Sequence, residues 1–195
     1  MFIGRTRELA ALDRLYQSDH FEFAMIYGRR RVGKTTLINQ FINDKKAIYF
    51  MGVESNAKQN LENFSRSILE METGFKAETT FLSFQAALEM VFQLAEHQRL
   101  VLVIDEYPYV ARASASLAST LQLLIDQYKE KSKLMLILCG SSMSYMEDHV
   151  LAYKAPPYGR RTAQMKILPF DFEEVCRCFP GYSAEEQALV YGAVG

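Results

Sequence analysis

The chain has 195 residues, 49% hydrophobic and 23% charged, ordinary globular values that exclude disordered and fibrous architectures. Its 22 basic and 23 acidic side chains give a net charge of -1, which argues against extensive nonspecific nucleic-acid binding but leaves room for a local basic patch. No apolar run approaches the ~18 residues that cross a bilayer, and residues 1–7 lack the apolar region of a secretory signal, so no membrane association is expected.

Three cysteines, two of them as close as Cys176 and Cys178, do not make a disulfide framework, and the expected location is the reducing cytoplasm. Charge is uneven along the chain. Residues 1–50 carry nine basic and five acidic side chains, residues 51–110 four and nine, and the remainder nine of each.

Five apolar runs read as strands: Phe21 to Tyr27, Ala47 to Met51, Leu100 to Ile104, Leu134 to Cys139 and Met165 to Leu168. Continuous apolar strands suit a parallel sheet covered on both faces. Between them, Phe81, Phe84, Leu88, Val91, Phe92 and Ala95 recur at helical spacing, with Thr79 or Thr80 as the expected cap, and Leu117, Leu121, Leu124, Ile125 and Tyr128 form a second stripe. Alternation of strands and helices predicts an α/β fold with right-handed crossovers. Residues 151–161, with Pro156, Pro157 and Gly159, predict an irregular loop. Asp171 is the expected N-cap of a helix ending near Cys178, and Ser183 with Glu186 forms a capping box for a last helix. That helix is still apolar at Gly195, which suggests a second unit begun and not completed.

The segment Gly28-Arg29-Arg30-Arg31-Val32-Gly33-Lys34-Thr35 fits G-x-x-x-x-G-K-[ST], a pattern met by chance in roughly one chain of this length per hundred. It follows a strand and opens a helix, the context in which backbone N–H groups and a helix N-terminus hold phosphate. Lys34 is expected to reach the β- and γ-phosphates of ATP, Thr35 to ligate Mg²⁺, and Thr36 to complete the nucleotide-binding run. The side chains of Arg29, Arg30 and Arg31 are expected to point to solvent or to neighbouring carboxylates, with only their backbone touching phosphate. The alternative is a glycine turn before an ordinary helix.

The run Leu100 to Ile104 ends in Asp105-Glu106. Asp105 is expected to complete the metal shell, and Glu106 to polarise the attacking water, a task for a carboxylate beside the metal. The strand Leu134 to Cys139 ends in Gly140-Ser141-Ser142, where Ser141 or Ser142 can orient that water, although Gly-Ser-Ser is also a common turn. Arg160 or Arg161 is a candidate for charge on the transferring phosphate, from its own subunit or across an interface. The alternatives are a solvated basic pair or a contact to nucleic-acid phosphate. Tyr107-Pro108-Tyr109 either braces the acids or faces a partner. Cys176-Arg177-Cys178 has the wrong spacing for zinc, and His20, His97 and His149 do not cluster.

Taken in order, GRRRVGKT, LVLVIDEY, LILCGSS, YGRRT and KILPF resemble the prokaryotic AAA+ ATPases of the archaeal-ATPase type, relatives of the origin-recognition and STAND NTPase groups. The opening Phe2-Ile3-Gly4-Arg5-Thr6-Arg7-Glu8-Leu9 is similar to that family's F-x-G-R-x-x-E-L segment. The resemblance implies that Ile3 and Gly4 pack against adenine, and that a three-layer P-loop NTPase core over residues 1–169 holds a five-stranded parallel sheet in the order 5-1-4-3-2. It further implies that residues 170–195 begin a helical lid. A sensor at Ser141 or Ser142 and an arginine finger at Arg160 or Arg161, joining copies into an oligomer, complete the implied site. The activity it implies is Mg²⁺-dependent ATP hydrolysis coupled to conformational change, within a longer protein. The competing classes are a STAND-type switch with little turnover and a DNA-associated ATPase.

Overall fold

The structure, a computed structural model, describes residues 4–75, 79–153 and 159–194. Five strands, β1 (Glu22–Tyr27), β2 (Ala47–Met51), β3 (Leu100–Asp105), β4 (Leu134–Gly140) and β5 (Ala163–Lys166), form one parallel sheet in the order β2-β3-β4-β1-β5. This is the expected order read from the other edge. The three inner strands are buried along their whole length, which is why they are apolar apart from Glu22 at the start of β1 and Asp105 at the end of β3. The outer strands alternate between covered and open positions instead.

The helices are α1 (Thr6–Tyr16), α2 (Lys34–Ile42), α3 (Ala57–Thr73), α4 (Phe84–His97), α5 (Tyr107–Ala113), α6 (Leu117–Tyr128), α7 (Met143–Tyr145, running into a π-helical turn at Met146–Leu151), α8 (Phe172–Cys178) and α9 (Ala184–Val194). Successive residues of each inner strand serve opposite faces. Phe23, Met25, Leu102 and Leu136 join Phe64, Leu88, Phe92 and Leu121 on the face covered by α3, α4 and α6. Ala24, Ile26, Val103 and Ile137 join Leu12, Leu37 and Phe41 on the face covered by α1 and α2. Two apolar layers flanking one sheet make the three-layer α/β/α architecture. Phe50 and Phe64 stack with ring centroids 5.1 Å apart, anchoring the outer strand β2.

Several boundaries differ from expectation for identifiable reasons. The cap of α4 is Ser83, whose hydroxyl accepts from the Ala86 amide at 3.1 Å, rather than Thr79 or Thr80. Thr80 is followed by Phe81, whose amide donates to the Ser65 hydroxyl and so belongs to a contact with α3. The fifth strand begins two residues earlier than its apolar run. Its pairing with β1 aligns Ala24 with Ala163 and Tyr27 with Lys166, so strand limits are fixed by the neighbour's hydrogen bonds. The 17-residue α3 has no counterpart among the predicted helices. Residues 151–153 close the π-helical turn and its end, while Pro156 and Pro157 of the expected loop lie outside the described residues. Asp171 caps α8 with a reciprocal capping box, and Ser183 and Glu186 exchange hydrogen bonds at the start of α9, both as expected. No helix among the described residues is long and apolar enough to cross a membrane.

Candidate functional site

Parallel registry brings three loops to one edge of the sheet. Tyr27 pairs with Gly140 and Met51 with Asp105, so the segments after β1, β3 and β4 emerge side by side. Gly28 begins the first of them. A Cβ at Gly28 would stand 2.2 Å from the Ile167 carbonyl oxygen, so the loop leaves the sheet through a gap that only glycine passes. Gly33, at φ +86°, sits at the N-cap of α2 with no side-chain cap. The first amides of α2 thus have no partner within the helix, and they point at the cleft where an anion can satisfy them.

Lys34 is 6% exposed, and its Nζ donates to the Gly28 and Arg29 carbonyls at 3.1 and 2.9 Å. These bonds draw the loop closed around the ammonium. Thr35 Oγ1 donates to Asp105 Oδ2 at 2.8 Å. Asp105 is 1% exposed and accepts two further bonds, from Tyr49 Oη to Oδ2 and from the Glu106 amide to Oδ1, each 2.8 Å. A buried carboxylate holding three donors is a strongly positioned one. Burial, then the neighbouring Asp105 carboxylate, push the Tyr49 hydroxyl well above its ordinary pKa, so it stays a donor. The buried Cys139 thiol is pushed up for the same reasons and remains protonated. Thr35 and Asp105 present hard oxygen atoms facing each other at the phosphate cleft, a donor set that fits Mg²⁺, which keeps most of its shell as water and phosphate oxygen.

Glu106 lies in the left-handed region at φ 49°, ψ 42°, and begins α5. That conformation is costly for a residue with a Cβ. Its Oε2 accepts from Ser141 Oγ at 2.9 Å and from the Ser141 amide at 3.3 Å. Of the two candidate serines, Ser141 is therefore the one bonded to Glu106. Ser142 stands at the N-cap of α7 without a side-chain cap bond and borders the same cleft. The main cleft, about 380 Å³, runs between the P-loop and Glu106 and includes Thr36. A smaller one of about 260 Å³ continues past Glu106 toward Ser141 and Tyr109.

The remaining expected residues fall in three places. Arg29, Arg30 and Arg31 are exposed, and Arg30 donates to Tyr109 Oη at 2.6 Å, where a carboxylate or solvent was expected. The Val32 carbonyl accepts from Arg5 at 3.1 Å. Ile3 lies outside the described residues. Gly4 packs beside Glu174 and Phe170 and borders a cleft of about 490 Å³ between the start of α1 and α8. Arg160 and Arg161 do not join the phosphate cleft. Ala163 pairs with Ala24, four residues short of Gly28, about 13 Å at ~3.3 Å per residue, and both arginines lie beyond it toward the opposite edge. Arg160 there binds both carboxylate oxygens of Asp126, at 2.8 and 2.6 Å, and Arg161 donates to the Leu151 carbonyl at 3.4 Å. This pairing places both arginines away from their own chain's phosphate cleft.

Sequence reasoning did not single out Tyr49, Cys139 or Arg5 for this site. Arg5 is 6% exposed and bonds the Val32 and Leu168 carbonyls and Glu8, with its guanidinium 4.5 Å from the centre of the Phe170 ring. It ties the N-terminal segment to the P-loop and to the chain after β5. Its signal was present, as the arginine of the opening motif. Tyr49 and Cys139 gave none, since an aromatic and a cysteine inside apolar strands read as core.

A glycine-bounded loop between strand and helix, a threonine facing a buried aspartate, and this sheet order define a P-loop ATP-binding module of the AAA+ type. Residues 2–194 match a family described as an ATPase domain predominantly from Archaea, and the chain belongs to that family. An uncharacterised protein of Methanocaldococcus jannaschii is 35% identical over 192 residues, 98% of this chain and 41% of that one. An uncharacterised ATP-binding protein of the same organism is 46% identical over 46 residues, 24% of this chain and 78% of that one. Among solved structures, a Walker-type ATPase of Pyrococcus abyssi superposes with a TM-score of 0.68 at 22% identity, covering 97% of this chain and 62% of that one. The Aeropyrum pernix ORC2 protein, in ADPNP–ADP complexes, gives 0.64 at 19%, covering 95% and 52%. At these identities the structural likeness is one of fold. The chain spans less than half of its long relative in M. jannaschii.

Proposed function

We propose that the chain hydrolyses ATP in a Mg²⁺-dependent reaction whose output is a movement of residues 170–195, the start of a helical lid. The observation that carries this function is Glu106, an acid directly after the metal-side Asp105 and held by Ser141 at the end of the adjacent strand. ATP seats its phosphates on the α2 amides and Lys34. Thr35 and Asp105 would hold Mg²⁺, which would supply positive charge beside the phosphates. Glu106 takes the proton of the water that attacks the γ-phosphorus, the β–γ bridging bond breaks, and ADP leaves with the electron pair. Ser141 orients Glu106. Tyr49 and the Glu106 amide fix Asp105 so that it need not reorganise.

Gly4 and Ile3 are assigned to adenine, with Gly4 beside the cleft that α8 shares with the start of α1. Arg160 or Arg161 is assigned to the γ-phosphate of a neighbouring copy, which makes the active form an oligomer. The location assigned is the cytoplasm.

Phosphate release measured with Mg²⁺ over a hundredfold range of protein concentration tests this. Specific activity rising with concentration supports hydrolysis completed by a neighbour. Tight ATP binding with no turnover at any concentration replaces it with a nucleotide-gated switch.

A further inference from the structure

Arg30 and Glu106 are the two residues that border both the phosphate cleft and the smaller cleft beside it. Arg30 is exposed, and its Nη2 donates to Tyr109 Oη at 2.6 Å. Tyr109 belongs to the helix that Glu106 begins. The next residue, Arg31, holds a left-handed φ of 68°, an uncommon conformation that turns the loop immediately after Arg30. The other cation bordering the smaller cleft, Arg112, lies 4.9 Å from the centre of the Tyr145 ring. Arg160 and Arg161 lie toward the opposite sheet edge. A cation is therefore built into the wall between the phosphates and the water-activating acid, and it comes from the P-loop itself.

We propose that Arg30 is a γ-phosphate-contacting catalytic residue that exchanges its bond to Tyr109 for the γ-phosphate oxygens. The inference rests on the ATP-hydrolysing function above. A guanidinium bonds a phosphate through two parallel N–H groups with opposite charge on donor and acceptor, against one bond to a neutral phenol, so the exchange runs toward phosphate. During hydrolysis the charge of Arg30 lies on the side of the γ-phosphorus where Glu106 accepts the water proton. With ADP the γ-oxygens are gone and Tyr109 regains the guanidinium. The Arg30–Tyr109 pair thus reports to α5 whether the γ-phosphate is present.

The test is titration of the full chain with ATP and with ADP in Mg²⁺, together with turnover, for Arg30→Gln, Arg30→Lys and Tyr109→Phe. Arg30→Gln should lose at least about tenfold in preference for ATP over ADP, the size of one charged hydrogen bond, with ADP affinity within about twofold of the parent. Its kcat should fall by about 10³, the low end for arginines in this role. Arg30→Lys should not restore it, because one ammonium cannot reproduce the fork. Tyr109→Phe should raise the ATP preference, because the competing acceptor is gone. An unchanged ATP-to-ADP ratio and unchanged kcat in Arg30→Gln overturn the proposal. Lys34→Ala and Glu106→Gln are run beside it. If they lose nucleotide binding and turnover respectively while Arg30→Gln is silent, only the role of Arg30 fails. If neither has its effect, the assignment of the site fails and takes Arg30 with it.

Discussion

Ser141 donates twice to one oxygen of Glu106, through its hydroxyl at 2.9 Å and its amide at 3.3 Å. The β4 loop thereby holds the acid that follows β3 and caps α5. Ser141→Ala removes the hydroxyl donor and keeps the amide. The expected result is a kcat lower by about tenfold or more, the worth of one hydrogen bond to a carboxylate, with ATP affinity close to the parent. Ser142→Ala should leave kcat within about twofold. Steady-state kinetics on the two variants separates the serines.

Gly52 fixes the same acids from the other side. Its amide donates to the Asp105 carbonyl at 2.8 Å, and a Cβ there would come within 2.5 Å of Val110 Cγ2 and 2.8 Å of the Glu106 carbonyl oxygen. Gly52→Ala forces the Asp105–Glu106 segment and α5 to move. Overpacking of this kind costs about 1–3 kcal/mol, and a denaturant midpoint should fall together with kcat. A variant with lowered stability and parental kcat would show that the acids tolerate the shift.

Tyr49 carries the pH dependence. Its pKa is raised in the folded chain by burial and then by Asp105, as is that of Tyr107 by burial. A raised pKa means the stabilisation is fully present below the unfolded tyrosine value, near pH 10, and is lost as pH rises beyond it. Denaturation midpoints should therefore fall above about pH 10. In Tyr49→Phe the alkaline fall should be shallower. At neutral pH that variant should be about 1–3 kcal/mol less stable, because the buried Asp105 side chain loses one of its donors. Equilibrium unfolding at pH 7 and pH 11 checks both signs.

Arg160 separates stability from activity. Its partner Asp126 is half-exposed, and the hydrogen bond from Arg160 holds the Asp126 carboxyl below its usual range. An exposed pair contributes less than about 1 kcal/mol, so Arg160→Ala should barely move the melting temperature. If Arg160 serves a neighbouring copy, the same variant should lose any rise of specific activity with protein concentration. Activity measured over that range distinguishes a finger from a surface ion pair.

The parts of the fold legible in the sequence were those with one dominant physical cause. The inner strands β1, β3 and β4 are covered on both faces, so their burial appears directly as apolar runs, broken only by Glu22 and Asp105 at strand ends. Lys34, Thr35 and Asp105 were legible because glycine loop, helix start and strand end fix them locally. What was not legible depends on pairing across the chain. The limits of β5 follow from registry with β1, and the separation of Arg160 and Arg161 from the P-loop follows from the direction of that pairing. Tyr49 reaches Asp105 from the adjacent strand, 56 residues away in sequence, and nothing local to Tyr49 marks it. The Arg30–Tyr109 bond spans 79 residues, and a charged side chain in the variable part of a P-loop reads by default as solvated.

Glu106→Gln tests the central claim most directly. The variant keeps the size of the side chain and leaves the P-loop, Thr35 and Asp105 unchanged, while removing the carboxylate proposed to take the proton from water. ATP affinity and phosphate release should be measured on the same preparation, at a protein concentration where the parent turns over. ATP binding within a few-fold of the parent, with phosphate release reduced to background, is the predicted result. Phosphate release at the parental rate would contradict the assignment of Glu106 as the base.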